Sequence, residues 1–164
     1  MDMNSLTKGL LRYKKWFVTH FSETRIKSGT PKYPTVQDVF ETSINVLTEL
    51  GELHIAHFRI RRSSWWAMIE WDKMSVEFSG GNYLIHIKFP RGNSPKRAFE
   101  ENKIKIPEGW EVRKLGKRWA VLYVTRTHKE QIAPFLKSIY EKLYTGSEEY
   151  YLIGQINFRD GGGY

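Results

Sequence analysis

The amino-acid sequence predicts an α+β fold, in which an antiparallel β-sheet of about four to six strands packs against helices. Three observations support this class. Apolar residues recur at helical spacing near both ends of the chain, they alternate with polar residues in the middle, and turn signals separate the alternating segments. Because successive strands joined by short turns pair antiparallel, this order of elements disfavours a doubly wound parallel sheet.

Two helices are predicted in the first third of the chain. A basic amphipathic helix opens the sequence, and glycine and proline breakers make residues 22–34 a loop. Thr35 is a suitable N-cap for the second helix, with Asp38 at the third helical position, and Gly51 is a natural terminator. The apolar stripe of this second helix comprises Val36, Val39, Phe40, Ile44, Leu47 and Leu50.

The period of the apolar residues changes to two between residues 53 and 89. This alternation predicts an antiparallel meander of up to about four strands. The alternating segments are residues 58–61, 65–72, 74–79 and 83–89.

A short helix and a second hairpin are predicted next. Ser94 is a cap and Pro95 suits the first helical position, so residues 95–102 form the helix. Alternation over residues 110–115 and 118–125 predicts the two strands of the hairpin.

The last helix and strand complete the fold. Thr127 and Glu130 have the spacing of a capping box, but Pro134 conflicts with such an early start. The helix therefore begins only near Glu130 or is kinked there. Residues 150–158 are predicted to add a last strand ahead of a glycine-rich tail.

The length of 164 residues suits one domain with a sizeable core, and 40% of the residues are hydrophobic. We expect a single domain over residues 1–164. Its predicted parts are a basic N-terminal helix and loop (1–34), a core (35–146), and a C-terminal strand with the glycine-rich tail (147–164).

The composition excludes several classes of protein. The chain has no cysteine, which rules out disulfides and thiolate chemistry and suits a reducing compartment. Its apolar runs are far shorter than the ~20 residues of a membrane-spanning helix, and its N-terminus lacks the apolar stretch of a secretory signal. We therefore expect a cytoplasmic protein, and many Lys, Glu and Tyr without cysteine would suit a thermophile.

The charge and the aromatic content together point to nucleic acid. The net charge is +8 and the pI is about 9.6, and such basicity indicates a polyanionic partner. Aromatic residues make up 15% of the chain and include six tryptophans. Because aromatic rings stack on unpaired bases, the combination favours a single strand, of DNA or RNA, over a duplex.

The densest basic and aromatic cluster spans eight positions and contains Arg59, Arg61, Arg62, Trp65 and Trp66. In a strand, Arg59 and Arg61 share one face while their apolar neighbours point to the other. Trp65 and Trp66 are consecutive, so one of them should be exposed as a stacking platform. The alternative is that both indoles are buried, one beneath a helix and one against a partner chain.

Two further clusters follow. One contains Lys88, Arg91, Lys96 and Arg97, and the other surrounds the tip of the second hairpin. The residues predicted to bind nucleic acid are Arg59, Arg61, Arg62, Trp65, Trp66, Trp71, Lys88, Arg91, Arg97, Arg113, Lys117, Arg118 and Trp119.

The sequence offers little support for a catalytic, metal or cofactor site. His54 and His57 have an HxxH spacing, but residues three apart in a strand face opposite sides, and no cysteine or carboxylate set completes a metal site. No glycine-rich nucleotide-binding loop follows a strand. We therefore predict no catalytic residue, no metal and no cofactor.

A metal-dependent nuclease stays open as an alternative. Glu70, Asp72 and Glu77 precede Lys88 in the carboxylate-then-lysine order of such enzymes. The acidic residue that usually stands two positions before the lysine is here His86.

Residues 59–66 and the hairpin Val76-Glu77-Phe78-Ser79-Gly80-Gly81 resemble the ThermoDBP-related proteins of archaea. The resemblance covers residues 35–145 and lies in size, element order and composition. It implies helices packed on an antiparallel sheet, a cleft lined by aromatic residues and edged by basic ones, single-stranded DNA as the ligand, and possible self-association.

The sequence thus predicts a non-enzymatic protein that binds single-stranded DNA or RNA with little sequence preference. The first alternative is a protein-interaction or assembly module, in which the exposed aromatic residues form a homo-oligomer interface. The metal-dependent nuclease is the second.

Overall fold

The computed structural model describes most of the chain between Thr35 and Phe158. The described residues are 24–25, 35–52, 54–62, 71–89, 92, 94–144 and 150–158. The predicted first helix and the glycine-rich tail lie outside them, as do the candidate residues Trp65, Trp66, Glu70 and Arg91. Four further candidates are described by their backbone alone, namely Arg61, Arg62, Trp71 and Asp72.

One antiparallel sheet organises the described part of the chain. Its strands are β1 (Thr24–Arg25), β2 (His54–Arg62), β3 (Trp71–Ser79), β4 (Asn82–Lys88), β5 (Glu111–Leu115), β6 (Trp119–Val124) and β7 (Tyr150–Phe158). They lie in the order β1-β7-β2-β3-β4-β6-β5, and each neighbouring pair is antiparallel. The predicted α+β class is confirmed.

The helices pack against this sheet. They are α1 (Val36–Leu50), α2 (Pro95–Glu101), a 3-10 helix (Arg126–Gln131) and α3 (Ile132–Leu143). No helix in the described ranges is long and apolar enough to cross a bilayer.

The caps predicted for α1 are confirmed. The backbone N–H of Thr35 donates to Asp38 Oδ2 over 2.9 Å, and the backbone N–H of Asp38 donates to Thr35 Oγ1 over 3.1 Å. This capping box satisfies two N–H groups that the first helical turn leaves without partners. At the other end, Gly51 adopts a φ of 76° and its N–H donates to the Leu47 carbonyl over 3.1 Å.

The capping box predicted at Thr127 and Glu130 is wrong. Residues 126–131 form the 3-10 helix, and α3 begins at Ile132. A proline is tolerated in the first turn of an α-helix but not in its interior, because its ring clashes with the preceding turn. Starting α3 at Ile132 places Pro134 in that first turn, and the Thr127 hydroxyl instead contacts the Thr125 hydroxyl at 2.9 Å.

Two other expectations are corrected. The predicted loop over residues 22–34 contains the two-residue strand β1. Residues 71–72, the end of the alternating segment 65–72, and the segment 74–79 belong to one strand, β3, whereas residues 65–70 lie outside the described residues. The phase change between them is a β-bulge: Phe58 of β2 pairs with Met74 and Arg59 pairs with Asp72, so Lys73 is the extra residue.

All three α-helices cover the same face of the sheet, because their buried side chains form one apolar cluster with the inward side chains of the strands. Phe40 of α1 packs on Phe58 of β2 with ring centroids 4.8 Å apart. Phe135 of α3 packs on Trp110 at the same distance, and the Trp110 indole N–H donates to Gln131 Oε1 over 2.9 Å. Trp110 therefore belongs to the core, and the second hairpin begins at Glu111.

Helix α1 approaches the sheet closely at Gly154 of β7. A Cβ atom at position 154 would lie 2.6 Å from Ser43 Oγ and 3.3 Å from Val39 Cγ1. Ser43 is fully buried, and its hydroxyl has no hydrogen-bond partner within the described part of the chain. The absence of a side chain at Gly154 thus sets the distance between α1 and the central strands.

We expect Gly154→Ala to lower the free energy of unfolding by about 1–3 kcal/mol, since overpacking a filled core forces shifts of helix or strand. Ser43→Ala should be neutral or stabilising because it removes a buried hydroxyl without a partner. In the double variant the Cβ meets no hydroxyl, so the cost of Gly154→Ala should fall. Urea unfolding of the four proteins tests this, and strictly additive effects would contradict the proposed contact.

Candidate nucleic-acid interface

On the face of the sheet opposite the helices lie the more exposed side chains of β4 and β6. In β4, burial alternates strictly, with Ile85 and Ile87 buried and His86 and Lys88 half-exposed. β6 follows the same alternation, with Trp119, Val121 and Tyr123 on the face opposite its buried residues. We call this side of the sheet the outer face.

Trp119, at the start of β6, is an aromatic residue of the outer face and is 40% exposed. It lies directly opposite Lys88 in the β4–β6 ladder. The Lys88 ammonium nitrogen is 5.5 Å from the centre of the Trp119 ring, which is within range of a cation–π interaction.

Tyr123 forms a second cation–aromatic pair on the same strand. The Arg113 guanidinium carbon lies 4.6 Å from the centre of the Tyr123 ring. A register shift between Val112 and Lys114 makes Arg113 a bulged residue of β5, and its guanidinium also contacts Glu111 at 3.2 Å. The Asn82 amide donates to the Tyr123 hydroxyl over 2.7 Å and holds the ring from its far end.

Lys114 completes this group, because it pairs with Val121 and is exposed. We define the β6 surface as Lys88, Arg113, Lys114, Trp119 and Tyr123. It presents two aromatic rings with cations on both flanks, from β4 on one side and from β5 on the other.

The antiparallel topology brings the predicted basic clusters towards one end of the sheet. β2 ends at Arg62, β4 ends at Lys88, β5 ends at Leu115, and β6 begins at Trp119. Because neighbouring strands alternate in direction, these four points lie at the same end. From β2 to β5 the sheet spans four strand spacings, or about 19 Å. Arg59, which is half-buried and pairs with Asp72, lies on this end of β2.

Arg118 lies at the same end and contacts the backbone. Its guanidinium donates to the Phe89 carbonyl from Nε at 3.4 Å and from Nη2 at 3.3 Å. The buried Tyr144 hydroxyl, at the end of α3, donates to the adjacent Lys88 carbonyl. Burial raises the pKa of Tyr144, and the positive charge of Arg118 opposes that rise. Arg118 and Tyr144 thus fix the end of β4, from which the Lys88 side chain projects.

Arg97 and Lys117 are the other two predicted residues whose side chains are described. Arg97 lies on α2, where its Nε contacts Glu101 Oε1 at 2.5 Å. This hydrogen bond raises the pKa of the Arg97 guanidinium. Lys117 is exposed in the turn between β5 and β6, beside the β6 surface.

Asp72 and Glu77, two of the three carboxylates of the nuclease alternative, lie too far apart to share one metal ion, and the third, Glu70, lies outside the described residues. Asp72 and Glu77 lie five residues apart on the continuous strand β3, which separates their Cα atoms by about 17 Å. Two ligands of one Mg²⁺ must each lie about 2.1 Å from it, which side chains this far apart cannot satisfy. Glu77 is only 8% exposed, and its Oε2 lies 4.0 Å from His86 Nε2. Within the described ranges, no group of three His, Asp or Glu residues could hold a metal ion.

Two members of the β6 surface, Tyr123 and Lys114, are missing from the predicted binding residues. The signal for Tyr123 was available, since residues 119, 121 and 123 of one strand must share a face. Lys114 belongs to the third basic cluster, but its orientation depends on the bulge at Arg113, which the sequence pattern does not reveal.

No protein-family model matches the chain, and no curated protein or solved structure is significantly similar to it. The resemblance to the ThermoDBP-related proteins therefore stays a prediction.

We expect Tyr144→Phe to lower the free energy of unfolding by about 1–3 kcal/mol at neutral pH, because the Lys88 carbonyl loses a buried donor. Because the pKa of Tyr144 is raised in the folded state, the unfolded chain releases its proton first, from about pH 10 upward. The stability difference between the wild type and Tyr144→Phe should thus be complete below pH 10 and shrink above it. Urea unfolding across this range measures the difference, and a gap that stays constant would contradict this role of Tyr144.

Proposed function

We propose that this chain binds single-stranded nucleic acid, DNA or RNA, through the β6 surface, and that it does so without catalysing a reaction. The observation that carries the proposal is the pairing of two aromatic rings, Trp119 and Tyr123, with flanking cations on the outer face of the sheet. Aromatic rings supply stacking faces for bases and cations supply contacts for phosphates, which is the combination that binds single strands without sequence preference.

The charge of the whole chain supports a polyanionic ligand. The net charge is +8, and Lys88, Arg113, Lys114 and Lys117 lie on or beside the β6 surface. Each phosphate that a cation neutralises releases a condensed counterion, so affinity should fall as salt rises. Glu111 contacts this group through Arg113.

The stacking faces favour an unpaired strand over a duplex. Within a duplex, the faces of the bases are covered by their stacked neighbours, so that a protein reaches mainly the base edges and phosphates. Trp119 is 40% exposed on the outer face, and its ring can be used for stacking only by a base that has left such a stack.

A second candidate function is self-assembly, and one observation favours it. Val112 and Leu115 of β5 are 42% and 46% exposed, and β5 lies at the end of the strand order. Apolar side chains on a terminal strand can pair with a second copy of the chain. The bulge at Arg113 and the charge of Lys114 act against such pairing, because both devices disrupt an extending ladder.

We expect Lys114→Ala to weaken the binding of a single-stranded oligonucleotide and to lower the slope of log affinity against log salt by about 0.7, the effect of one lost phosphate contact. Lys142→Ala is the matched control. Lys142 is an exposed lysine of α3, so it lies on the helix side of the sheet and not on the outer face. Fluorescence anisotropy of a labelled oligonucleotide at several salt concentrations measures both quantities. Equal effects of the two substitutions, or no binding by the wild type at low salt, would contradict the proposal.

The self-assembly candidate makes a different prediction. If β5 forms a subunit interface, sedimentation equilibrium should show a dimer that Leu115→Asp converts to a monomer. A wild-type monomer that still binds oligonucleotides would exclude this candidate and leave the nucleic-acid proposal standing.

A further inference from the structure

Both aromatic rings of the β6 surface lie beside cations of the chain itself. Lys88 Nζ is 5.5 Å from the centre of the Trp119 ring, and Arg113 Cζ is 4.6 Å from the centre of the Tyr123 ring. A base cannot stack on a ring face while a cation occupies that face. The unliganded arrangement must therefore change if these faces are used.

An aromatic ring gains by exchanging its cation for a base, and the cation gains by exchanging the ring for a phosphate. A base stacked on an aromatic ring gains more than a cation held over a ring at an exposed site. A lysine or arginine released from the ring can form a charge-assisted contact with a phosphate, which is stronger than a contact with a neutral group. The same strand that supplies the base also supplies the phosphate.

We propose that an unpaired strand lies along β6, that its bases displace Lys88 from Trp119 and Arg113 from Tyr123, and that the two displaced cations bind its phosphates. This inference rests on the proposed function and adds the path of the ligand. Lys88 flanks β6 from β4, whereas Arg113 flanks it from β5, so the sugar–phosphate chain crosses β6 diagonally.

The spacing of the two rings sets the minimum length of the ligand. Trp119 and Tyr123 are four residues apart on one strand, so their Cα atoms lie about 13 Å apart. Stacked nucleotides advance by about 3.4 Å each, so the two rings accept bases up to about four steps apart, and fewer in an extended strand. An oligonucleotide of about five residues can therefore reach both rings, whereas a dinucleotide can reach one.

Substitution of the cations tests the exchange, because it should have opposite effects on two probes. Adenosine has a base but no phosphate, so Lys88→Ala and Arg113→Ala should each bind it about two- to fivefold more tightly than the wild type, since the ring is no longer covered. An oligodeoxyadenylate of about eight nucleotides should bind each variant more weakly at low salt, since a phosphate contact is lost. Lys142→Ala should leave both affinities unchanged.

The results distinguish a failure of the exchange from a failure of the proposed function. Weaker binding of both probes by both variants would overturn the exchange, because the cations would then support the rings, while the proposed function would stand. Unchanged or tighter binding of the oligonucleotide would overturn it as well, because the cations would then not reach phosphate. No binding of the oligonucleotide by the wild type at low salt would instead remove the proposed function. Thermal unfolding of each variant establishes that it is folded.

The path along β6 has its own test. The affinity for oligodeoxyadenylates of two to about ten nucleotides should rise steeply once the ligand spans both rings, near about five nucleotides. Tyr123→Leu should abolish this step, whereas Tyr123→Phe, which keeps the ring, should retain it. The same length dependence in Tyr123→Leu and in the wild type would overturn the proposed path.

Discussion

One-sided burial of the sheet is the constraint on which the candidate site depends. All three α-helices pack on one face, so β4 and β6 bury every second side chain against that face and leave the alternate positions outside. In β6, this requirement turns Trp119 and Tyr123 outward, because Ala120, Leu122 and Val124 occupy the core. A shift of one residue in the register would place both rings in the core and three apolar side chains outside.

Polar contacts at both ends of β4 hold the strand in the orientation that this one-sided burial requires. The hydroxyls of Thr48 in α1 and Tyr83 in β4 lie 2.6 Å apart, which ties the start of the strand to the helix layer. At the opposite end, Tyr144 donates to the Lys88 carbonyl and Arg118 donates to the Phe89 carbonyl. β4 is therefore fixed at both ends, and the position of Lys88 relative to Trp119 follows from the core and not from a flexible loop.

Much of the local structure followed from the sequence, because it depends on near neighbours. The capping box at Thr35 and the terminator at Gly51 need only residues within one helical turn, and both are confirmed. The capping pattern at Thr127 failed because a second local requirement, the place of Pro134 in the first helical turn, outweighed it. The alternating pattern divides residues 71–72 from residues 74–79, although one bulged strand contains both, because a bulge and a strand boundary change the phase of the alternation in the same way.

The site was less predictable because it depends on pairing between distant strands. The cations and rings were visible as separate clusters, but the register that sets Lys88 against Trp119 joins residues 31 positions apart. Arg113 reaches Tyr123 only because β5 bulges at that residue, and no residue type at Arg113 signals a bulge. Sequence patterns thus reveal which residues are available, whereas the strand order decides which of them meet.

The distribution of charge on the outer face limits where a polyanion can lie. Glu77 occupies the middle strand β3 at 8% exposure, and one basic group near it is His86, whose Nε2 lies 4.0 Å from Glu77 Oε2. A carboxylate with little access to water repels phosphate more strongly than an exposed one, since solvent screens it less. The cations of the β6 surface lie on β4 and β5, on either side of β6. Lys88 on β4 is separated from Glu77 along the strand, whereas Arg113 and Lys114 on β5 are separated from it across the sheet. Attraction at β6 and repulsion at β3 therefore both favour a ligand that follows β6 over one that crosses the centre of the sheet.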